Sequence, residues 1–337
     1  MAVNRQYILR SRPLGQLADS DLELREQPIR APDPGEVQIA TKLISIDPTI
    51  RIWMSDIPQY LPPIELGDVV RALGIAEVEQ SSHPDFAVGE LVAAGVGWQT
   101  HSTGKPEELM INKLAPGLSP ELGISILSMT SGFTAYFGLL DVLDPQPGET
   151  VVVTAAAGAV GSLVGQIAKL KGCRVIGIAG GPEKCRYVTE ELGFDACIDH
   201  RSEDVGAGLD RLCPEGIDVD FENVGGPIFD AILLRMKLHG RICLCGLIAD
   251  YDQLGQPVAG PYNFGQILMK RLHVHGFIIL DYIPRFAEAV PDLVGWMSSG
   301  KLKQRIYEKQ GFTSLPDALR ELVGGRSEKI GKMIVRL

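Results

Sequence analysis

The sequence predicts an α/β fold in which a doubly wound parallel sheet is joined to a second, β-rich domain. Two observations carry this prediction. Strand-like and helix-like segments alternate from residue 150 to about residue 279, whereas residues 1–120 read as short strands separated by turns. Alternating strands and helices are typical of parallel sheets with helical crossovers, and short strands between turns are typical of barrels and sandwiches.

The parallel sheet is predicted to contain six strands. They are residues 150–154, 174–178, 196–198, 219–222, 241–245 and 274–279. Six strands with intervening helices match a dinucleotide-binding sheet. We therefore expect residues 129–299 to form a dinucleotide-binding domain.

The β-rich domain is expected to be a partly open barrel. Residues 36–43 alternate between apolar and polar side chains after a turn of proline, aspartate and glycine, and residues 68–78 and 91–96 repeat the pattern between glycines. The sequence after residue 300 again has the pattern of β-strands, and its last strand could pair with the β-rich segment at the start of the chain. We expect residues 1–128 and 300–337 to form this domain together.

A turn of small residues connects the first parallel strand to its helix. The turn, residues 155–161, contains Gly158 and Gly161, which leave room for a phosphate. Converging N–H groups and the helix dipole favour an anion there. The usual fingerprint has a further glycine where this chain has Ala155. The same segment also fits a buried strand and helix packed through small residues, or a short membrane span.

Length and composition indicate a globular protein with room for two domains. The chain has 337 residues, of which 45% are hydrophobic, and a net charge of -10. It has no stripe of lysine and arginine that could follow a nucleic acid backbone. Arginines interrupt the N-terminal segment where a signal peptide needs an apolar core. We expect a cytoplasmic protein that binds neither nucleic acid nor membrane.

Residues after the second parallel strand favour NADP over NAD. No acidic residue stands at the tip of this strand, and Lys184 and Arg186 follow it. A cation at this place can pair with a ribose 2′-phosphate, whereas an acid would bind the free 2′-hydroxyl. Two alternatives stay open, because both cations could belong to a solvated helix face and Glu183 could still reach a ribose.

Cysteine spacing does not predict a metal site. All six cysteines lie beyond the middle of the chain and form no clustered pairs of the kind that bind zinc. Cys243 and Cys245 alternate along one strand, which more often places two small apolar side chains on one face. We expect no metal.

Motifs spread over almost the whole chain resemble one enzyme family. They are residues 45–51 (SIDPTIR), 97–99 (GWQ), 134–139 (TAYFGL), 155–161 (AAAGAVG), 222–226 (ENVGG) and 245–248 (CGLI). On these motifs the chain resembles the zinc-free medium-chain dehydrogenases/reductases of the prostaglandin reductase and leukotriene hydroxydehydrogenase type. The resemblance implies a Rossmann-type coenzyme domain, a GroES-like catalytic domain, usually a homodimer, and NADPH-dependent reduction of the α,β double bond of enones and enals.

The resemblance also implies functions for individual residues. It implies coenzyme contacts from Gly158, Ala159, Val160, Gly161, Lys184, His200, Asn223, Cys245, Gly246, Leu247, Ile248, Tyr251, Phe277, Ile278 and Ile279. It implies a pocket for a small hydrophobic substrate formed by Thr49, Arg51, Tyr60 and Tyr262. Three positions depart from the family, which often has tyrosine in place of His200 and Thr49 and asparagine near Lys329.

Tyr251 matches the tyrosine that the family places beside the substrate carbonyl. Hydride transfer to the β-carbon puts negative charge on the carbonyl oxygen, so the site needs a hydrogen-bond donor there and then a proton source for the α-carbon. A phenol with a pKa of about 10 is protonated at neutral pH and can donate. Tyr251 could instead be a loop residue anchored by its ring.

Two other functions stay open at this stage. A quinone oxidoreductase of the same superfamily would use the same coenzyme with a different acceptor. A non-catalytic NADPH-binding sensor or scaffold would use the same fold without turnover, because a fold alone does not determine function.

Overall fold

The computed structural model describes residues 3–254, 256, 258–325 and 327–337. Its strands are β1 (Val3–Leu9), β2 (Leu22–Pro28), β3 (Val37–Ser45), β4 (Gly74–Ser81), β5 (Leu91–Ala94), β6 (His101–Gly104), β7 (Asn112–Lys113), β8 (Thr150–Thr154), β9 (Arg174–Ala179), β10 (Ala196–Asp199), β11 (Ile217–Glu222), β12 (Met236–Leu244), β13 (His273–Gly276), β14 (Ile306–Gln310) and β15 (Lys332–Arg336).

The α-helices are α1 (Thr49–Trp53), α2 (Pro120–Ile124), α3 (Thr134–Phe137), α4 (Gly161–Leu170), α5 (Pro182–Arg186), α6 (Val205–Leu212), α7 (Gly226–Leu233), α8 (Gly265–Lys270), α9 (Phe286–Ser298) and α10 (Leu315–Val323). Short π-helical turns cover Met129–Phe133, Gly138–Leu143 and Tyr187–Glu191, and 3-10 turns cover Asp19–Asp21, Ile248–Gln253, Ile279–Arg285 and Phe312–Ser314. Among the described residues, the structure contains no helix of the length and apolar character that a bilayer span requires.

The parallel sheet has the strand order β10-β9-β8-β11-β12-β13. Consecutive valines of β8 are fully buried and pack on opposite faces, Val151 and Val153 in one apolar cluster and Val152 in another. A strand covered on both faces reads as a continuous apolar run, which is why the sequence predicted this strand. The predicted α/β fold with six parallel strands is confirmed, although β13 ends at Gly276, where the chain turns toward a 3-10 helix.

The β-rich part is built around a second sheet. Its order is β14-β15-β3-β4-β5-β7, with β6 paired to β3, and β1 and β2 form a separate two-stranded sheet. β15 pairs antiparallel with β3, so the C-terminal segment completes the sheet that the N-terminal segment begins. The expected β-like character after residue 300 missed α10, in which Leu315, Leu319 and Leu322 form a buried face at helical spacing.

The C-terminal segment also reaches the parallel sheet. The Gly331 N–H donates a hydrogen bond of 2.8 Å to the Ala157 carbonyl. Gly331 has a φ of +82°, and a Cβ at this position would lie 2.0 Å from the Arg305 carbonyl oxygen, so only glycine fits. Gly331 therefore lies beside the small-residue turn. The domain limits at residues 128/129 and 299/300 stay a prediction.

Candidate coenzyme and substrate site

The predicted coenzyme residues collect at one edge of the parallel sheet. Each follows the carboxyl end of a strand: residues 158–161 follow β8, Lys184 follows β9, His200 follows β10, Asn223 follows β11, residues 245–251 follow β12, and residues 277–279 follow β13. The strand order reverses between β8 and β11, and ligands of open α/β sheets bind at such a reversal.

The turn before α4 has the geometry of a phosphate-binding loop. A Cβ on Gly161 would lie 2.5 Å from the Ala155 carbonyl oxygen, and one on Gly158 would lie 3.1 Å from it. Ala155 itself takes a φ of +48°, where the usual fingerprint has glycine. The N–H groups of Ala159 and Val160 have no hydrogen-bond partner among the described residues, so they remain available to an anion.

Two cations flank the position where an adenosine ribose would bind. The Lys184 Nζ donates a hydrogen bond of 2.5 Å to the Ser327 carbonyl. Arg201 pairs with Glu328 at 2.6 Å and lies beside Gly181 at the start of α5. Burial, followed by the nearby Arg201, lowers the pKa of Lys184. Sequence reasoning missed Arg201, although it directly follows His200 at the end of β10.

Lys329 adds a third cation to this region, whereas the lowered pKa of His200 leaves its ring uncharged at neutral pH. The His200 Nε2 lies 2.8 Å from the position that a Cβ on Gly180 would take, and burial and Arg201 lower the pKa of His200. Burial, then Lys184 and Lys332, lower the pKa of Lys329 to about 8. Like charges that are partly removed from water favour an anion between them. The residues present therefore fit a phosphate group.

The loop after β11 is fixed by a buried carboxyl group. The Glu222 side chain is fully buried, and its Oε1 accepts hydrogen bonds from the Gly225 N–H at 2.8 Å and the Thr154 hydroxyl at 3.0 Å. Asn223 donates through Nδ2 to the Thr154 carbonyl at 2.8 Å. Burial raises the pKa of Glu222 to about 7, although these hydrogen bonds oppose the shift.

Tyr251 lies against the loop that follows β12. Its Oη accepts a hydrogen bond of 3.3 Å from the Leu247 N–H and lies 3.4 Å from the position of a Cβ on Gly246. Burial raises the pKa of Tyr251 to about 12. The phenol is therefore protonated at neutral pH and keeps a proton to donate.

Two predicted pocket residues lie near Tyr251. Tyr60 is close enough to raise the pKa of Tyr251 electrostatically. The Tyr60 Oη accepts a hydrogen bond of 3.0 Å from Trp53 Nε1 and is also bonded to the Thr49 hydroxyl. A cavity of about 560 Å³ lined by residues 56–63 opens at Tyr60. The structure thus brings Thr49, Tyr60 and Tyr251 into one region.

The other two predicted pocket residues are placed elsewhere. Arg51 is fully buried, and its guanidinium donates to the carbonyls of Pro13 at 3.0 Å and Gly15 at 2.8 Å. These bonds use the guanidinium to hold the N-terminal segment, which argues against a substrate contact. Tyr262 is 92% exposed and therefore does not line an enclosed pocket here.

A buried ion pair within the β-rich part was not predicted. Lys332 is fully buried, and its Nζ lies 2.5 Å from Asp47 Oδ1 and 3.3 Å from the Thr130 hydroxyl. Asp47 belongs to a motif that the sequence analysis noted, but its partner is 285 residues away. Only the pairing of β3 with β15 brings these side chains together.

The fold and this site define a dinucleotide-dependent oxidoreductase. The family described as an N-terminal domain of oxidoreductase matches residues 5–111, and the family described as zinc-binding dehydrogenase matches residues 159–297. Within the described residues, no group of three histidine, cysteine, aspartate or glutamate side chains could hold a metal ion.

Relatives that align over nearly the whole chain show which oxidoreductases this chain is similar to. The NADPH-dependent curcumin reductase of Escherichia coli (strain K12) is 40% identical over 338 residues, which cover 99% of this chain and 97% of the relative. The 2-alkenal reductase (NADP(+)-dependent) of Nicotiana tabacum is 36% identical over 337 residues, covering 98% and 97%. The crystal structure of CurA in complex with NADPH from Vibrio vulnificus superimposes with a TM-score of 0.92 at 42% identity, covering 98% of both chains.

The chain belongs to the medium-chain dehydrogenase/reductase family of NADPH-dependent reductases. The family, the coenzyme NADP(H) and the enzyme class predicted from the sequence, an NADP-dependent oxidoreductase acting on CH–CH groups, are confirmed.

Proposed function

We propose that this chain uses NADPH to reduce the α,β carbon–carbon double bond of enones and enals, with hydride transfer to the β-carbon. The observation that carries the proposal is the position of the Tyr251 hydroxyl, which lies 3.4 Å from the place of a Cβ on Gly246, at the same sheet edge as the phosphate-binding loop. The names of two relatives, curcumin reductase and 2-alkenal reductase, support the same substrate class.

Coenzyme binding is assigned to the edge of the parallel sheet. The free N–H groups of Ala159 and Val160 would bind the pyrophosphate, and Lys184 with Arg201 would bind the 2′-phosphate. The loops held by Glu222 and the Gly246 backbone would shape the path between the two ends. When bound, NADPH supplies the hydride.

Tyr251 stabilises the charge that the reaction creates. Negative charge develops on the substrate carbonyl oxygen, and a donor already in place there lowers the barrier. The raised pKa keeps the proton on Tyr251 while it donates this hydrogen bond. Thr49 is bonded to Tyr60 and stands where the family often has tyrosine. A threonine side chain occupies less space than a tyrosine ring. A larger substrate mouth follows from this substitution.

A panel of acceptors tests the proposal. Purified protein is mixed with NADPH and either enones and enals or quinones, and coenzyme oxidation is followed. We expect oxidation with several enones and saturated carbonyl products. Oxidation with quinones alone would identify a quinone oxidoreductase, and tight NADPH binding without turnover on either panel would identify a sensor or scaffold.

Assembly, metal content and location form the remaining part of the proposal. β13 is an edge strand of the parallel sheet, and its His273, His275 and Gly276 are exposed, which favours pairing with a second copy. We propose a homodimer, to be tested by sedimentation.

Activity should survive a chelator, because we propose a zinc-independent enzyme. The six free cysteines favour a reducing, cytoplasmic compartment.

A further inference from the structure

Glu222 is enclosed at the end of β11 and has no exposed surface of its own. Its Oε1 accepts hydrogen bonds from the Val224 N–H at 2.5 Å, the Gly225 N–H at 2.8 Å and the Thr154 hydroxyl at 3.0 Å. Hydrogen bonds to an ionised carboxylate are stronger than bonds between neutral groups. One carboxylate oxygen therefore fixes the loop after β11 and attaches it to the end of β8.

The same hydrogen bonds reach the phosphate-binding loop, residues 155–161. Thr154 is the last residue of β8 and directly precedes this loop. The Thr154 hydroxyl accepts a hydrogen bond of 2.7 Å from the Asn223 N–H, and the Asn223 side chain donates to the Thr154 carbonyl at 2.8 Å. The loop after β11 is therefore held directly beside the residues proposed to bind the pyrophosphate.

The loop that carries Tyr251 is bonded to the backbone that Glu222 holds. Four of its N–H groups donate to the carbonyls of residues 222–224: Cys245 and Gly246 to Glu222 at 2.9 and 3.1 Å, Ile248 to Asn223 at 3.2 Å, and Ala249 to Val224 at 2.9 Å. Tyr251 follows two residues after Ala249, and its Oη accepts a hydrogen bond of 3.3 Å from the Leu247 N–H. The position of the Tyr251 hydroxyl thus depends on residues 222–224.

We propose that Glu222 is a positioning residue for the reduction, whose buried carboxylate sets the place of the Tyr251 hydroxyl relative to the phosphate-binding loop. The inference rests on the proposed function, in which Tyr251 donates a hydrogen bond to the developing oxyanion. Such a donor lowers the barrier only when its position is already fixed, and a displacement of about 1 Å can cost roughly 100-fold in rate. Glu222 itself does not contact the substrate, because it is fully buried.

Asp220 offers an internal comparison on the same strand. It is also fully buried, and neither of its carboxylate oxygens has a partner among the described residues. Residues two apart on a strand point to the same face of the sheet, so the two acids lie side by side. They differ in what they bind, and only Glu222 holds the loop after β11.

Glu222→Gln is the first test, because it keeps the size of the side chain and removes its charge. We expect kcat for an enone to fall roughly tenfold, since a neutral amide oxygen holds the N–H groups less firmly. The KM for the enone and the dissociation constant for NADPH should stay within about twofold, because the interaction matters in the transition state. Assays at pH 8 keep Glu222 ionised, as its pKa is about 7.

The matched control is Asp220→Asn. This variant removes a buried acid from the same strand without removing a hydrogen bond to either loop. We expect its kcat to equal that of the unsubstituted chain. An equal fall of kcat in both variants would show that the loss of buried charge, and not the position of the loop, controls the rate, and would overturn the proposal.

A double-mutant cycle separates positioning from a general structural effect. If Glu222 acts through the Tyr251 hydroxyl, Glu222→Gln should cost no more than about twofold in kcat when it is added to Tyr251→Phe. Independent effects would instead multiply, to a total of roughly 1000-fold. Multiplying effects, or an unchanged kcat in Glu222→Gln alone, would overturn the proposal.

Thr154→Val gives a second variant of the same hydrogen-bond network if Glu222→Gln does not fold. It keeps the shape of the side chain but removes the hydroxyl that joins Glu222 to Asn223. We expect a lower kcat that disappears when the variant is combined with Tyr251→Phe. A slow Tyr251→Phe beside fully active Glu222→Gln and Thr154→Val would contradict the positioning alone. An unchanged kcat in Tyr251→Phe would contradict the proposed role of Tyr251 and this inference with it.

Discussion

The two ends of the proposed coenzyme and substrate site carry different kinds of side chain. We propose that the adenosine end is formed by three cations, Lys184, Arg201 and Lys329. We propose that the substrate end is formed by Thr49, Tyr60 and Tyr251, which carry neutral hydroxyl groups. A cation binds a phosphate equally well in the ground state and in the transition state. A hydroxyl that donates a hydrogen bond can stabilise negative charge that develops only in the transition state. The first end should therefore determine affinity and the second end rate.

Tyr251→Phe should have the largest effect on rate. Removing the donor from the developing oxyanion should lower kcat roughly 100-fold, while the dissociation constant for NADPH stays unchanged. Steady-state kinetics with an enone and calorimetry with NADPH measure the two quantities. Tyr262→Phe is the matched control, because this phenol is 92% exposed, and it should behave like the unsubstituted enzyme. An unchanged kcat in Tyr251→Phe would remove the rate-determining role of the substrate end.

Lys184→Ala should weaken the binding of NADPH, in contrast to Tyr251→Phe, which should lower kcat. Loss of one charge-assisted hydrogen bond of about 1.5–3 kcal/mol should weaken NADPH roughly tenfold to a hundredfold. NADH lacks the 2′-phosphate, so its affinity should not change. Arg186→Ala removes an exposed cation from the same helix and serves as the control. If both coenzymes weaken equally, Lys184 does not select the phosphate.

Asp220 is a buried acid inside the parallel sheet. This residue of β11 is fully buried, and neither carboxylate oxygen has a partner among the described residues. Burial, followed by Glu222, raises the pKa of Asp220 well above its usual value. A carboxyl whose pKa is higher in the folded chain stabilises the fold below its unfolded pKa, and this stability is lost as the pH rises.

Asp220→Asn should therefore lose less stability than the original chain as the pH rises. The variant should match the original chain at low pH and be more stable by about 1–2 kcal/mol at neutral pH, since one pKa unit corresponds to about 1.4 kcal/mol. Urea denaturation at the two pH values measures the difference. Equal pH slopes for both proteins would show that Asp220 is not a destabilising buried acid.

Lys329 should make NADPH binding depend on pH with the smallest effect of the four. Its pKa is lowered to about 8, so it loses its positive charge as the pH rises through this value. From pH 7 to pH 9 the affinity for NADPH should fall by up to about tenfold, the equivalent of one pKa unit. Calorimetry on Lys329→Met, which cannot titrate, should show a flatter profile. The same slope in both proteins would place Lys329 outside the phosphate site.

The fold was largely predictable because its signals are local. The uncharged run of valines in β8 and the glycines after it predicted a strand, a tight turn and a helix, and the structure contains all three. Helix α10 was missed because the segments on either side of it, which form strands β14 and β15, have a β-like pattern. The leucines of α10 nevertheless recur at helical spacing. A search for a period of 3.6 residues in this segment would have found it.

The candidate site was only partly predictable because it depends on distant contacts. The family resemblance supplied most of the predicted coenzyme residues, and the structure places the six stretches after the carboxyl ends of parallel strands at one edge of the sheet. No local pattern connects Arg201 with Glu328, which are 127 residues apart, or Lys332 with Asp47. The buried position of Arg51 was also hidden, because its partners are backbone carbonyls, which any sequence supplies.

Isotope transfer tests the central claim most directly. NADPH deuterated at C4 of the nicotinamide is incubated with the enzyme and an aryl-substituted enone, and the product is examined by NMR. The account predicts a saturated ketone with one deuterium on the former β-carbon and an α-proton from solvent. Deuterium on the carbonyl carbon of an allylic alcohol, or no turnover of any enone, would contradict it.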